Sequence, residues 1–123
     1  MESRRERNLA KQLGSAIARK RENFGLTQEQ AAELLGVGSQ QISRIERGAV
    51  MTTIPRLFEF AELFRCNVDE FLLKASDRES DQAVTLEREL ALLQAKDREF
   101  IVVLVQHLSE HLRLKATEKS TKR

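Results

Sequence analysis

Gln40, Gln41, Ser43 and Arg44 crowd into five consecutive positions, and all four types hydrogen-bond readily to nucleobase edges. A glutamine amide can pair bidentately with adenine and an arginine fork with guanine, each worth roughly 1–3 kcal/mol of discrimination. Ile42 and Ile45 interrupt the polar run at a spacing of three, so one helix would bury the isoleucines and present Ser39, Gln40, Gln41, Ser43, Arg44 and Arg47 on its other side. Other reactive types are sparse. Cys66 is the single cysteine, so no disulfide forms within the chain, and it reads as a small buried hydrophobe. His107 and His111 are four apart, a spacing that can chelate a metal. Glu110 faces elsewhere and no third ligand accompanies them, so they read as surface or interface histidines with no metal bound. No Ser/His/Asp set and no carboxylate pair is spaced for catalysis, and no glycine-rich phosphate loop is present. The expectation is no enzyme, no catalytic residues and no cofactor.

The elements that must carry the polar row are short helices. Leu9, Leu13, Ala16 and Ile17 follow a helical period that ends at Gly25, where a positive φ suits a C-cap. Thr27 followed by Gln30 is a capping box, opening a helix that should bury Ala31, Ala32, Leu34 and Leu35. Gly36-Val37-Gly38 breaks it, Ser39 offers an N-cap for the polar helix, and Gly48 stops that helix. Thr53 caps a helix over 54–65 with Pro55 in its first turn and Leu57, Phe58, Ala61, Leu63 and Phe64 inside. Asn67 with Glu70 starts a fifth helix that buries Val68, Phe71 and Leu72. One proline, five glycines and no Trp or Tyr suit such an all-α chain. Residues 9–75 thus form one five-helix domain. It is preceded by a flexible N-terminus (1–8) whose Arg4, Arg5 and Arg7 are either an arm along a polyanion or a solubilising end.

At this point Thr27–Gly48, TQEQAAELLGVGSQQISRIERG, resembles the helix-turn-helix of Cro/repressor-type (XRE-type) regulators. The resemblance rests on Ala32, Gly36, Val37, Ile42 and Ile45, and extends over about residues 9–73. It implies a lambda-repressor-like fold and double-stranded DNA as partner. It implies Ser39, Gln40 and Arg44 at base edges, Gln41 and Ser43 at the groove edge, and Gln28 on a phosphate. It also implies a buried ion pair between Arg21 and Glu46. Arg47 stands where it either meets phosphate or meets nothing. The chain departs from the family pattern twice. Its loop Ala49-Val50-Met51-Thr52 has no charge before Arg56, leaving Thr52, Thr53, Arg56 or backbone N–H groups for phosphate, and Val50 and Met51 for a partner subunit. Arg65 also stands where the family commonly has glycine.

Residues 76–82 read as a polar linker, and 83–114 as a helical dimerisation region, where Gln94-Ala95-Lys96-Asp97 is either a turn between two helices (~83–93 and ~95–114), the preferred reading, or a polar turn of one long helix. FIVVLV (100–105) is apolar on nearly every side, more than packing on one neighbour requires. A homodimer that buries Leu90, Leu93, Phe100, Ile101, Leu104, Val105, Leu108 and Leu112 is the economical solution. The tail 115–123 is expected to be disordered and basic. Residues 1–48 carry 9 Lys/Arg against 6 Asp/Glu, and 76–114 carry 5 against 8, so the front of the chain is the end that meets a polyanion. No signal peptide, membrane span or small-molecule ligand site is evident, which points to the cytoplasm. With the resemblance, the expectation is a transcriptional regulator, a repressor that binds a pseudo-palindromic operator as a homodimer. The alternative is an antitoxin or anti-factor whose C-terminal helices bind a partner protein, with DNA binding as autoregulation.

Overall fold

A computed structural model describes residues 3–121 as seven helices, with no strand among them. The chain divides into two compact units that part between Val84 and Thr85. The first unit holds α1 (Arg4–Phe24), α2 (Gln28–Leu35), α3 (Ser39–Glu46), α4 (Ile54–Leu63), α5 (Val68–Ala75) and the start of α6 (Glu79–Ala91). The rest of α6 and α7 (Ala95–Thr121) form the second.

The N-terminal helix starts earlier than the periodicity of its apolar residues indicates. Ser3 caps it, its hydroxyl accepting from the Glu6 N–H at 3.1 Å, and Glu6 places a carboxylate in the first turn. The expected flexible segment is therefore helical from Arg4, while Met1 and Glu2 lie outside the described residues. The linker is also shorter than 76–82. The Ser76 hydroxyl donates to Asp81 at 2.6 Å and accepts from the Arg78 N–H at 3.1 Å, and Glu79 and Asp81 favour the positive end of α6. Only 76–78 separates α5 from α6. At the other end, α7 continues through 115–121 in place of the expected disorder: Lys115, Ala116, Glu118 and Lys119 are good helix formers, Lys119 lies near the negative helix end, and the Thr117 and Thr121 hydroxyls donate back to the Arg113 and Thr117 carbonyls. Lys122 and Arg123 lie outside the described residues.

The core of the first unit is built from Leu13 and Ile17 of α1, Ala32, Ile42 and Ile45 of α2–α3, Leu57, Phe60 and Ala61 of α4, then Phe64, Phe71 and Ala75. Phe60 and Phe64 stack with ring centroids 5.8 Å apart. Three expected core residues are instead exposed: Leu34 at 64%, Phe58 at 57% and Leu72 at 47%. In α4 the buried stripe is Leu57, Phe60, Ala61 and Phe64, spaced i, i+3, i+4 and i+7, and Phe58 stands about 100° off it.

Two glycine-type positions shape the packing. Gly14 is where α1 crosses the end of α3: a Cβ there would collide with the Ile45 carbonyl oxygen and come within 2.7 Å of the Glu46 carbonyl oxygen. Between α4 and α5 the chain turns through Arg65 at φ +53°, the one non-glycine positive φ among the described residues. The Cys66 N–H then returns to the Ala61 carbonyl at 3.0 Å. The turn typical of glycine is kept with an arginine in it.

In the second unit Leu90, Leu93 and Ile101 are half-buried, and Phe100, Leu104, Val105, Leu108 and Leu112 are exposed. No helix among the described residues is long and apolar enough to cross a membrane.

Two substitutions test the packing by urea denaturation. Gly14→Ala will destabilise the chain by about 1–3 kcal/mol, because carbonyl oxygens of α3 have no room to withdraw. Arg65→Gly will stabilise it by about 1 kcal/mol, by removing the left-handed penalty at that turn.

Candidate nucleic-acid interface

The α2–α3 pair is locked from below. Gly36 adopts φ +71°, its N–H bonding to the Glu33 carbonyl at 3.2 Å, and the Val37 N–H reaches the Ala32 carbonyl at 2.9 Å. The N-cap of α3 is Gly38, and Ser39 is already the first helical residue. The expected Ser39 cap therefore does not form, and its hydroxyl is left uncommitted on the polar side. Ile42 (0% exposed) and Ile45 (4%) hold α3 to the core.

Beneath the motif lies a three-helix polar node. Arg21 of α1 forks onto Glu46 of α3, Nε to Oε2 at 2.7 Å and Nη2 to Oε1 at 3.0 Å, and donates its Nη1 to the Leu26 carbonyl at 2.7 Å. The Gln28 amide of α2 donates to the same carboxylate at 2.9 Å. Both charged side chains are buried. The hydrogen bond to Glu46 raises the Arg21 guanidinium above its ordinary range against the opposing cost of burial, and the nearby carboxylate charges of Glu46 and Glu22 add to the rise.

The node alters the part given to Gln28. Its side-chain donor is spent on Glu46, so it ties α2 to α3 and is not presented as a phosphate ligand. What remains open at the α2 terminus is backbone. Thr27 and Gln30 satisfy each other's N–H groups at 2.9 and 3.1 Å, leaving the N–H groups of Gln28 and Glu29 in the first turn.

The other predicted residues divide sharply. Gln40, Gln41 and Arg44 are exposed and Ser39 is half-buried, and among the described residues none of their side chains is engaged. Ser43 and Arg47 are tied together, the Arg47 Nε donating to the Ser43 hydroxyl and carbonyl, both at 3.3 Å. Arg56 is held by Glu59 at 2.8 Å. The Thr52 hydroxyl oxygen is enclosed with no hydrogen-bond partner, so it does not face outward as a phosphate ligand would. Thr53 is occupied as the cap of α4, accepting from the Arg56 N–H at 3.2 Å.

Lys11 escaped the sequence reading. Gly48, at φ +75°, lies so close to α1 that a Cβ would come within 2.6 Å of the Lys11 Cα. An exposed cation from α1 thus stands beside the uncharged loop that follows α3. No signal in the sequence marks it, because only the fold brings Lys11 to Gly48.

A family model described as Helix-turn-helix matches residues 17–71. This stretch belongs to the Cro/XRE-type helix-turn-helix family. The matched segment runs from Ile17 through Phe71, so it takes in the node, the α2–α3 pair and the three core aromatics Phe60, Phe64 and Phe71. The family is one of DNA-binding transcriptional regulators, and the matched segment is the part of the chain similar to their helix-turn-helix. No match is found among curated proteins.

Cys66 is half-buried and unpaired. Burial raises its thiol above the ordinary range, with Glu70 adding and Lys20 opposing, which makes it a poor nucleophile near neutrality. Among the described residues, no three His, Cys, Asp or Glu side chains converge as metal ligands.

Glu46→Gln will cost about 3 kcal/mol in urea denaturation, because it leaves the Arg21 guanidinium buried without its counter-charge. The double variant Arg21→Met/Glu46→Leu will cost less than Glu46→Gln alone, since no uncompensated charge stays inside.

Proposed function

We propose that the chain is a sequence-specific transcriptional repressor that occupies a pseudo-palindromic operator as a homodimer. The observation that carries the reading is the set of uncommitted side chains on α3. Gln40 and Arg44 lie four apart on a helix anchored by Ile42 and Ile45, with Ser39 and Gln41 beside them. In this reading Gln40 and Arg44 pair with base edges in the major groove, Ser39 supports them, and Gln41 and Ser43 line the groove wall. Phosphates are taken by the Gln28 and Glu29 N–H groups at the start of α2, by Lys11, and by Arg47 or Arg56 once released from Ser43 or Glu59.

Pairing comes from the second unit. Phe100 (66% exposed), Leu108 (54%) and Leu112 (62%) head a set of large apolar side chains on α7 that this chain does not cover. Full burial of one such side chain is worth about 1.5–3 kcal/mol. Several of them on each of two chains therefore suffice for a stable dimer even when each gains only part of that. Two copies bring two α3 helices to one face of DNA, about 34 Å apart, on half-sites related by the dimer two-fold. Val50, Met51, Ile54 and Phe58 form a further exposed apolar set after α3, available for contact between copies on DNA. Repression follows from occupying a promoter.

Selection of bound DNA from a random library will return a two-fold-symmetric site. Against that site Gln40→Ala and Arg44→Ala will each lose about 1–3 kcal/mol of binding and relax the preference at one position per half-site. Lys11→Ala will weaken all sequences alike and reduce the salt dependence by about one ion per half-site. Light scattering that finds a monomer associated with a different co-purified protein would instead favour the antitoxin or anti-factor role.

A further inference from the structure

The first unit carries a second concave surface. Residues of α1, the end of α5 and the start of α6 enclose a cleft of about 1010 Å³. Its cations are Arg4 and Arg5 from the first turn of α1, Lys74 from the last turn of α5, and Arg78 from the connection before α6. Asp77 is the one carboxylate among its described lining residues. These cations are exposed. Among the described residues Arg4, Arg5 and Lys74 enter no ion pair. The Arg78 guanidinium stands 4.0 Å from Asp81, whose carboxylate already accepts from the Ser76 hydroxyl.

The cleft stands apart from the α3 face. At about 100° per residue, Arg5, Leu9 and Gln12 lie about 140–180° around α1 from Gly14, where α1 meets α3. DNA held by α3 is therefore on the far side of α1. Leu9, Leu72 and Ala75 give the cleft an apolar lining, and Asn8, Gln12 and Gln82 bring amides that both donate and accept. A run of solvated charge needs neither a concavity nor an apolar lining. Charges of one sign around a concave surface concentrate the field there and draw in an ion of the other sign.

We propose that this cleft binds a small organic polyanion of the size and charge of a nucleoside di- or triphosphate. Arginine forks match phosphate oxygens bidentately, and Lys74 adds a compact point charge. Four cations against one carboxylate leave a surplus of three, which balances a short run of phosphates. The apolar lining suits a planar ring, and the amides suit its polar edge. Pockets for drug-sized ligands measure about 300–1,000 Å³, so the cleft has room for a nucleotide. Its occupant holds the first turns of α1 to the start of α6, the helix that runs on into the second unit. The site stands independently of the repressor reading.

Isothermal titration calorimetry of the full chain with magnesium-free ATP and GTP tests this, at about 0.15 M salt so that diffuse attraction is screened. Side-chain amide NMR signals locate the binding. Arg5→Ala/Lys74→Ala removes a cation from α1 and another from α5, Leu9→Glu sets a carboxylate in the apolar lining, and Lys115→Ala/Lys119→Ala removes the same charge from α7. Circular dichroism checks that each variant keeps its helicity; the replaced side chains are exposed. The expected result is saturable binding of at least one nucleotide, with shifts at the amides of Asn8, Gln12 or Gln82. Both cleft variants should weaken it at least about tenfold and the α7 variant less than about twofold. No binding of either nucleotide overturns the proposal, as does an equal loss in the α7 variant, which shows diffuse charge attraction only. Inorganic pyrophosphate bound as tightly as the nucleotide overturns the organic part of the assignment. Cleft variants that keep nucleotide binding but lose affinity for a random-sequence duplex assign the cations to DNA backbone and also overturn it.

Discussion

The close crossing of α1 over the end of α3 is the constraint on which the DNA-binding unit depends. Gly14 admits the Ile45 and Glu46 carbonyls, Gly48 admits the backbone of Lys11, and the gap beyond is closed by the Arg21 fork on Glu46. These contacts lie along one line of α1. Losing the small residues would push the helices apart, and with them the ion pair, because a fork that spans 2.7 and 3.0 Å has no slack. Gln28 extends the constraint to α2 by donating to the same carboxylate. A buried ion pair is a poor source of net stability, since the cost of stripping water from both charges offsets most of the attraction. What it does supply is orientation: three helices share one carboxylate, and the angle at which α3 is presented follows from it.

That arrangement accounts for the division of labour along α3. Its buried side is apolar and closed, its C-terminal half is braced by Glu46 and by the Arg47–Ser43 contact, and its N-terminal half carries the uncommitted Ser39, Gln40 and Gln41, with Arg44 following. A reader of base edges needs its backbone held and its polar side chains unspent, since every internal hydrogen bond must be broken before one to DNA forms. The second unit shows the opposite economy. Its apolar side chains are the ones left unspent, on a helix apolar around more than half its circumference. The first unit buries a core of its own; the second, on a single chain, does not.

Much of this was legible in the residues. The capping boxes at Thr27 and Asn67, the positive-φ glycines 25, 36 and 48 and the anchoring isoleucines mark the elements because caps and turns are set by neighbours within four residues. Ser3 with Glu6 carried the same signal, and the arginine-rich start concealed it. The misassigned core residues Leu34, Phe58 and Leu72 show the limit of composition: each is apolar, but each lies off the stripe its helix turns inward. The site was less legible than the fold. Gln28, Thr52 and Arg56 have the right types at the right spacing for phosphate, yet one is spent on Glu46, one is enclosed and one is paired with Glu59.

Local order, helix class and the polar character of α3 were therefore determined by the sequence alone, since each depends on interactions within a turn or two of the chain. Which polar groups remain available was decided by tertiary structure. Lys11 is 37 residues from Gly48 along the chain and Arg21 is 25 from Glu46, and only folding brings either pair together. A side chain's type states what it can bond to. Whether that bond is already made depends on neighbours the linear order does not reveal.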